Sequence, residues 1–151
     1  MTDRGTPWTT ETAWAASLEI LGHEVVRVDE QTSSWEERVA RADGCDMLLW
    51  TSTWGYAERS AREATRYMRY LNQRMPTAAV HLDRWWGLAN REHQIRDNAM
   101  FRCRWVFTAD GDHQAEWQAA GVNHHWLPPG VFGPECVMGT ARPEWRSDVA
   151  F

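Results

Sequence analysis

The chain has 151 residues, of which 43% are hydrophobic and 25% charged. That composition fits one soluble domain with a real core and excludes a disordered chain. The net charge of −5 argues against a nucleic-acid coat. No apolar run reaches the roughly 18 residues of a membrane span, so no membrane partner is expected.

Met1 to Pro7 contains no apolar signal segment. The three cysteines, Cys45, Cys103 and Cys136, are widely spaced and form no Cys-x-x-Cys pair. A disulfide framework or zinc knuckle is therefore not expected, and a reducing cytoplasm is the default location. All 16 basic residues are Arg, and 11 residues are Trp. The absence of Lys reads as the bias of a GC-rich coding sequence, as in an actinobacterial or actinophage genome.

Taken in chain order, Thr9 to Leu21 predicts a helix, with Trp14, Leu18 and Leu21 on one face and Gly22 as its stop. Glu24 to Asp29 alternates like a strand. Ser34-Trp35-Glu36-Glu37 is a capping box opening a short helix to about Ala42. Cys45 to Thr51 is a compact apolar run fitting a buried parallel strand. Ala57, Ala61, Ala64, Met68, Leu71 and Met75 make one apolar stripe of a longer helix, ended by Pro76. A strand follows at Thr77 to Leu82, a short helix at Arg91 to Asn98, and a strand at Arg104 to Thr108. A helix from Asp112 to Ala120 stops at Gly121, and His125-Trp126-Leu127 is a last short strand.

Strands and helices in alternation imply an α/β fold: a doubly wound, Rossmann-like, three-layer domain with a mostly parallel sheet. The chain opens almost directly on a helix, where such a domain first has a central strand. The domain is thus expected to be truncated at both ends, unless the strand order differs. Residues 1–130 form the domain in this reading. Residues 131–151 form a linker and the start of a second domain, because Asp148-Val149-Ala150-Phe151 reads as half a strand.

In open parallel sheets, ligands bind at the carboxyl ends of the strands. Three strand ends are polar here: Thr51 to Tyr56, His81 to Gly87, and Thr108 to His113. His81 and Asp83 straddle Leu82 and share a face, as a catalytic pair or as a hydrogen-bonded structural one. Asp112 reads first as a helix N-cap, whereas Asp110 and His113 lean towards function. Trp54, Tyr56, Trp85 and Trp86 are either aromatic walls or core. Arg59, Arg62, Arg66 and Arg69 form a stripe that either binds phosphates or is a solvated face balanced by Glu58 and Glu63. His124-His125 has no metal-ligand spacing, so no metal site is expected. There is no Gly-x-Gly-x-x-Gly, Walker-type loop or Gly-x-Ser-x-Gly elbow, so no cofactor site is expected in this chain.

The run Phe107 to Trp117, continuing through Ala120 to Val131 with its Leu-Pro-Pro-Gly turn, resembles a known pattern. So does the tail Arg142 to Phe151. Together they resemble the N-terminal half of a GT-B glycosyltransferase of the group 1 kind, nearest to the CgeB-like spore-maturation enzymes and their phage relatives. The resemblance is best over residues 81–151. It implies two Rossmann-like domains facing across a cleft, with the acceptor on the N-terminal one. The nucleotide-sugar donor is then expected on the missing C-terminal domain, supplied in the same chain or by a split partner. The isolated chain is expected not to catalyse transfer.

On this reading the catalytic candidates are Asp83, His81, Asp110 and His113. The substrate-binding candidates are Thr53, Trp54, Arg84, Trp85 and Asp112. The rival readings are a non-enzymatic module that binds a partner or a sugar, and a nucleic-acid-binding domain using the Arg59 to Arg69 stripe.

Overall fold

The computed structural model describes residues 9–29, 32–51, 61–88, 91–130 and Gly133. Thr53, Trp54, Tyr56, Ala57, Glu58, Arg59 and, apart from Gly133, the expected linker over residues 131–151 lie outside these. The elements in chain order are α1 (Thr10–Ile20), α2 (Trp35–Ala42), β1 (Leu48–Thr51), α3 (Ala61–Arg74) and β2 (Thr77–His81). Two short 3₁₀ helices follow, Glu92–Arg96 and Ala99–Arg102, then β3 (Trp105–Thr108), α4 (Gln114–Ala119) and β4 (His124–Trp126). All four strands are parallel, in the order β1-β2-β3-β4. The fold is α/β and Rossmann-like. No described helix is long and apolar enough to cross a membrane.

β2 lies between β1 and β3, and every one of its residues is buried. Its sequence Thr-Ala-Ala-Val-His lacks the polar-apolar alternation of a half-exposed strand, as a strand covered on both faces must. Around it α3 contributes Ala64, Met68 and Leu71, followed by Met75 just past its end; these four residues of the expected stripe are buried. That stripe packs against the second 3₁₀ helix, which adds Ala99, Met100 and Phe101. Trp50, Trp85 and Trp117 complete the core. Several of the tryptophans are thus structural: Trp117 is fully buried, stacked on His124 at 4.8 Å and edge-on to Trp86 at 5.4 Å.

The helix ends follow their local chemistry. Ser34 and Glu37 form the expected capping box, each side chain satisfying the other's backbone N–H. α4 ends at Gly121, whose φ of +73° is a left-handed turn that favours glycine. The Val122 N–H then closes back on the Trp117 carbonyl at 3.1 Å. At the start of β2, Thr77 donates to Asn72 and accepts from the Arg104 N–H at 2.9 Å. This joins α3, β2 and the approach to β3.

Four expectations are corrected. Glu24–Asp29 is not a strand: no described strand pairs with it, and alternation without a ladder partner leaves backbone groups to water. α1 buries Glu11 and Ala15 rather than the Trp14–Leu18–Leu21 face, and Leu21 is 73% exposed. The helix expected at Arg91–Asn98 is a 3₁₀ turn over Glu92–Arg96. Asp112 does not cap α4: the N-cap position is His113, without a side-chain cap, because the Asp112 carboxylate pairs with Arg84 instead.

Candidate functional site

β2 and β3 run parallel with His81 opposite Thr108. The residues that follow them, 82–88 and 109–113, therefore lie at one edge of the sheet. This is the juxtaposition expected for Asp83 and Asp110. The two carboxylates nevertheless have different surroundings.

Asp110 is fully buried. Its carboxylate accepts the Trp85 N–H at 2.9 and 2.8 Å and the Trp86 N–H at 3.2 Å. Thr108 Oγ1 donates to it at 2.9 Å, and the Asp110 N–H returns a bond to that hydroxyl at 3.1 Å. Arg84 Nε lies 3.9 Å away. The lone pairs of Asp110 are thus committed to holding the loop after β2 against the loop after β3. A carboxylate so engaged and shielded is a positioning group rather than an accessible base.

Asp83 is exposed. Its Oδ2 stands 4.0 Å from His81 Nε2, beyond hydrogen-bond reach. His81 itself is buried at the end of β2, its ring edge-on to Trp85 at 5.2 Å. Its Nε2 faces Arg91 at 3.4 Å. A guanidinium only donates, so this nitrogen presents its lone pair to Arg91. Arg91 also donates to the Arg84 carbonyl at 2.9 Å. It links the loop after β2 to the 3₁₀ segment.

Arg84 reaches outward. Its guanidinium donates to Asp112 at 3.2 and 3.1 Å and to His113 Nε2 at 3.1 Å. By the same donor rule His113 carries its proton on Nδ1, which faces Glu116 Oε1 at 3.5 Å. Arg84, Asp112 and His113 therefore form the accessible cluster at this edge, with the exposed Asp83 next to Arg84 in the chain. Trp85, expected to shape an acceptor pocket, is 4% exposed and belongs to the core. Its indole N–H donates to the Arg91 carbonyl at 2.8 Å. Thr53 and Trp54 fall outside the described residues.

Behind Asp110 lies a buried polar chain that the sequence did not announce. Thr108 Oγ1 is 2.9 Å from His124 Nε2, and His124 Nδ1 is 2.9 Å from Gln114 Oε1. The Gln114 amide nitrogen donates to the His124 carbonyl at 3.2 Å. That second bond fixes the amide's orientation, so Nδ1 of His124 is the donor to Oε1. Burial pushes the His124 pKa down, against the opposing pull of the Asp110 charge. In the neutral ring Nε2 is an acceptor, and the single Thr108 proton is shared between His124 and Asp110.

Arg91, Thr108, Gln114 and His124 are the residues of this network that pattern reading missed. Each gains its role from a partner 10 or 16 positions away, at no motif spacing. Among the described residues, no group of three or more His, Cys, Asp or Glu is arranged to hold a metal ion. Comparison of the chain with family models, with curated proteins and with solved structures found no match.

Proposed function

We propose that this chain is the acceptor-side half of a GT-B glycosyltransferase, which moves a sugar from a nucleotide-sugar donor to a hydroxyl acceptor. The supporting observation is the carboxyl edge of the parallel sheet. Neighbouring strand ends there carry an exposed carboxylate, Asp83, and, next to it in the chain, the Arg84 that joins Asp112 and His113.

In this reading Asp83 takes the proton from the acceptor hydroxyl as it attacks the sugar. Arg84, Asp112 and His113 orient the acceptor's other hydroxyls through donors and acceptors in fixed directions. His81 and Asp110 act behind them, holding the loops that carry these groups. The donor sits on a separate donor-binding domain, and this chain supplies no cofactor site. The resemblance over residues 81–151 supplies the reaction class.

A saccharide array probed with the full chain tests the acceptor role. The expected outcome is binding of a hydroxyl-rich ligand that weakens in Asp112→Asn. In an enzyme completed with its donor-binding domain, Asp83→Asn should then lower turnover by about 10²–10⁴-fold. Ligand binding with undiminished turnover in Asp83→Asn would remove Asp83 from the chemistry. Saccharide binding with no transfer to any acceptor in the completed protein would favour a non-enzymatic sugar-binding module.

A further inference from the structure

The arginine stripe of α3 has a second wall. Arg62, Arg66 and Arg69 stand at helical spacing of four and three along α3, on a flank separate from the buried Ala64–Met68–Leu71 stripe. Arg96 and Asp97 of the first 3₁₀ segment face them. Between the two walls lies an open groove of about 550 Å³, with Tyr70 also lining it. Four guanidinium groups thus line one groove against a single carboxylate, in a chain whose net charge is −5.

Of the acids that could balance this face, Glu36 has its pKa lowered by the Tyr67 hydrogen bond and, further, by the nearby Arg66 charge, and Glu58 lies outside the described residues. Glu63 is not among the residues lining the groove. None of the ion pairs between described residues involves Arg62, Arg69 or Arg96. Arg66 lies over the Tyr67 ring at 4.8 Å. Beyond that ring Glu36 is hydrogen-bonded to the Tyr67 hydroxyl. The walls are also held in place. Arg74 stacks on Tyr70 at 4.2 Å, and Arg102 donates to the Arg96 carbonyl at 2.7 Å.

We infer that this groove binds a small molecule carrying two or more phosphate groups. Guanidinium forks match phosphate oxygens two at a time, which a single ammonium does not. The volume is that of a small-ligand site. The groove gathers four of the arginines of a chain that is acidic as a whole, and that net charge disfavours a long polyanion running beyond it. The inference is independent of the proposed sugar transfer, since none of the carboxyl-edge residues lines this groove.

Titration calorimetry of the full chain with inorganic tripolyphosphate, pyrophosphate and monophosphate is the test. Affinity should rise with the number of phosphates and fall with added salt. The double variant Arg62→Gln/Arg69→Gln should weaken tripolyphosphate binding by roughly tenfold or more, with an unchanged circular dichroism spectrum. Arg69→Lys should also weaken it, because the charge stays and the fork is lost. Arg27→Gln, on the connection after α1, should leave binding unchanged. Absence of tripolyphosphate binding at low salt would overturn the inference. So would equal binding by the double variant. Tighter binding of a single-stranded oligonucleotide than of tripolyphosphate, lost in the same variant, would overturn the small-ligand assignment in favour of a nucleic-acid strand.

Discussion

Both carboxylate oxygens of Asp110 rest on the backbone N–H of Trp85, at 2.9 and 2.8 Å. One side chain after β3 thereby fixes the path of the chain after β2. It does so in a fully buried position, where water cannot replace it.

Asp110→Ala should leave the Trp85 and Trp86 N–H groups and the Thr108 hydroxyl without this acceptor. The expected loss is about 3 kcal/mol or more, read from urea unfolding. Asp110→Asn keeps one acceptor oxygen but turns an N–H₂ towards donors, and should cost less than Ala. Wild-type stability in both variants would show that the two loops are held by other contacts.

Much of the framework was legible because it rests on periodicity. The α3 stripe, the continuous burial of Thr77–His81 and the Ser34–Glu37 box need only the local chain. The placement of His81 and Asp83 on the same edge as Asp110 followed from βαβ connectivity. What escaped was set by tertiary partners. Asp112 had the right residue type and position for a cap, yet Arg84, 28 residues earlier, draws its carboxylate away. Trp85 was a plausible surface wall until Phe101 packed against it at 4.7 Å. Glu24–Asp29 has the pattern of a strand, and a strand exists only with a neighbour.

Several apolar groups are left uncovered. Ile20 and Leu21 at the end of α1 are 69% and 73% exposed, and Val26 and Met47 are also exposed. β1 and β4 form the two edges of the described sheet. Exposed apolar surface favours association. Sedimentation velocity of the chain should show concentration-dependent self-association, reduced in Ile20→Glu/Leu21→Lys. A monomer at all concentrations would show that these groups are not sticky in practice.

The cysteines should differ sharply in reactivity. Burial pushes the Cys103 thiol up to about 12, only partly offset by its contact with Thr77. At pH 8 about one thiol in 10⁴ is then ionised, and the thiolate is the nucleophile. Iodoacetamide should leave Cys103 unlabelled in the native chain and modify it in urea, whereas the half-buried Cys45 reacts in both. Mass spectrometry of the digested protein reads the difference. Native labelling of Cys103 at the unfolded rate would mean that the strand-approach region opens readily.

Acid should loosen the network behind Asp110. His124 is 3% exposed, and burial lowers its pKa below the ordinary 6.5. The unfolded chain therefore binds the proton more tightly than the folded one. The sign follows: the stability that neutral His124 contributes is complete above about pH 6.5. It is lost as pH falls from there towards and through the lowered folded value. One proton sets a ceiling of about 1.4 kcal/mol per pH unit on the slope. Urea unfolding between pH 7.5 and 5 should show this decline. In His124→Gln, whose amide retains hydrogen bonding but does not titrate, the decline should be shallower by up to that amount. Parallel pH profiles for the two proteins would mean that His124 takes up its proton as easily in the fold as outside it. The pull of Asp110 would then balance the cost of burying the charge.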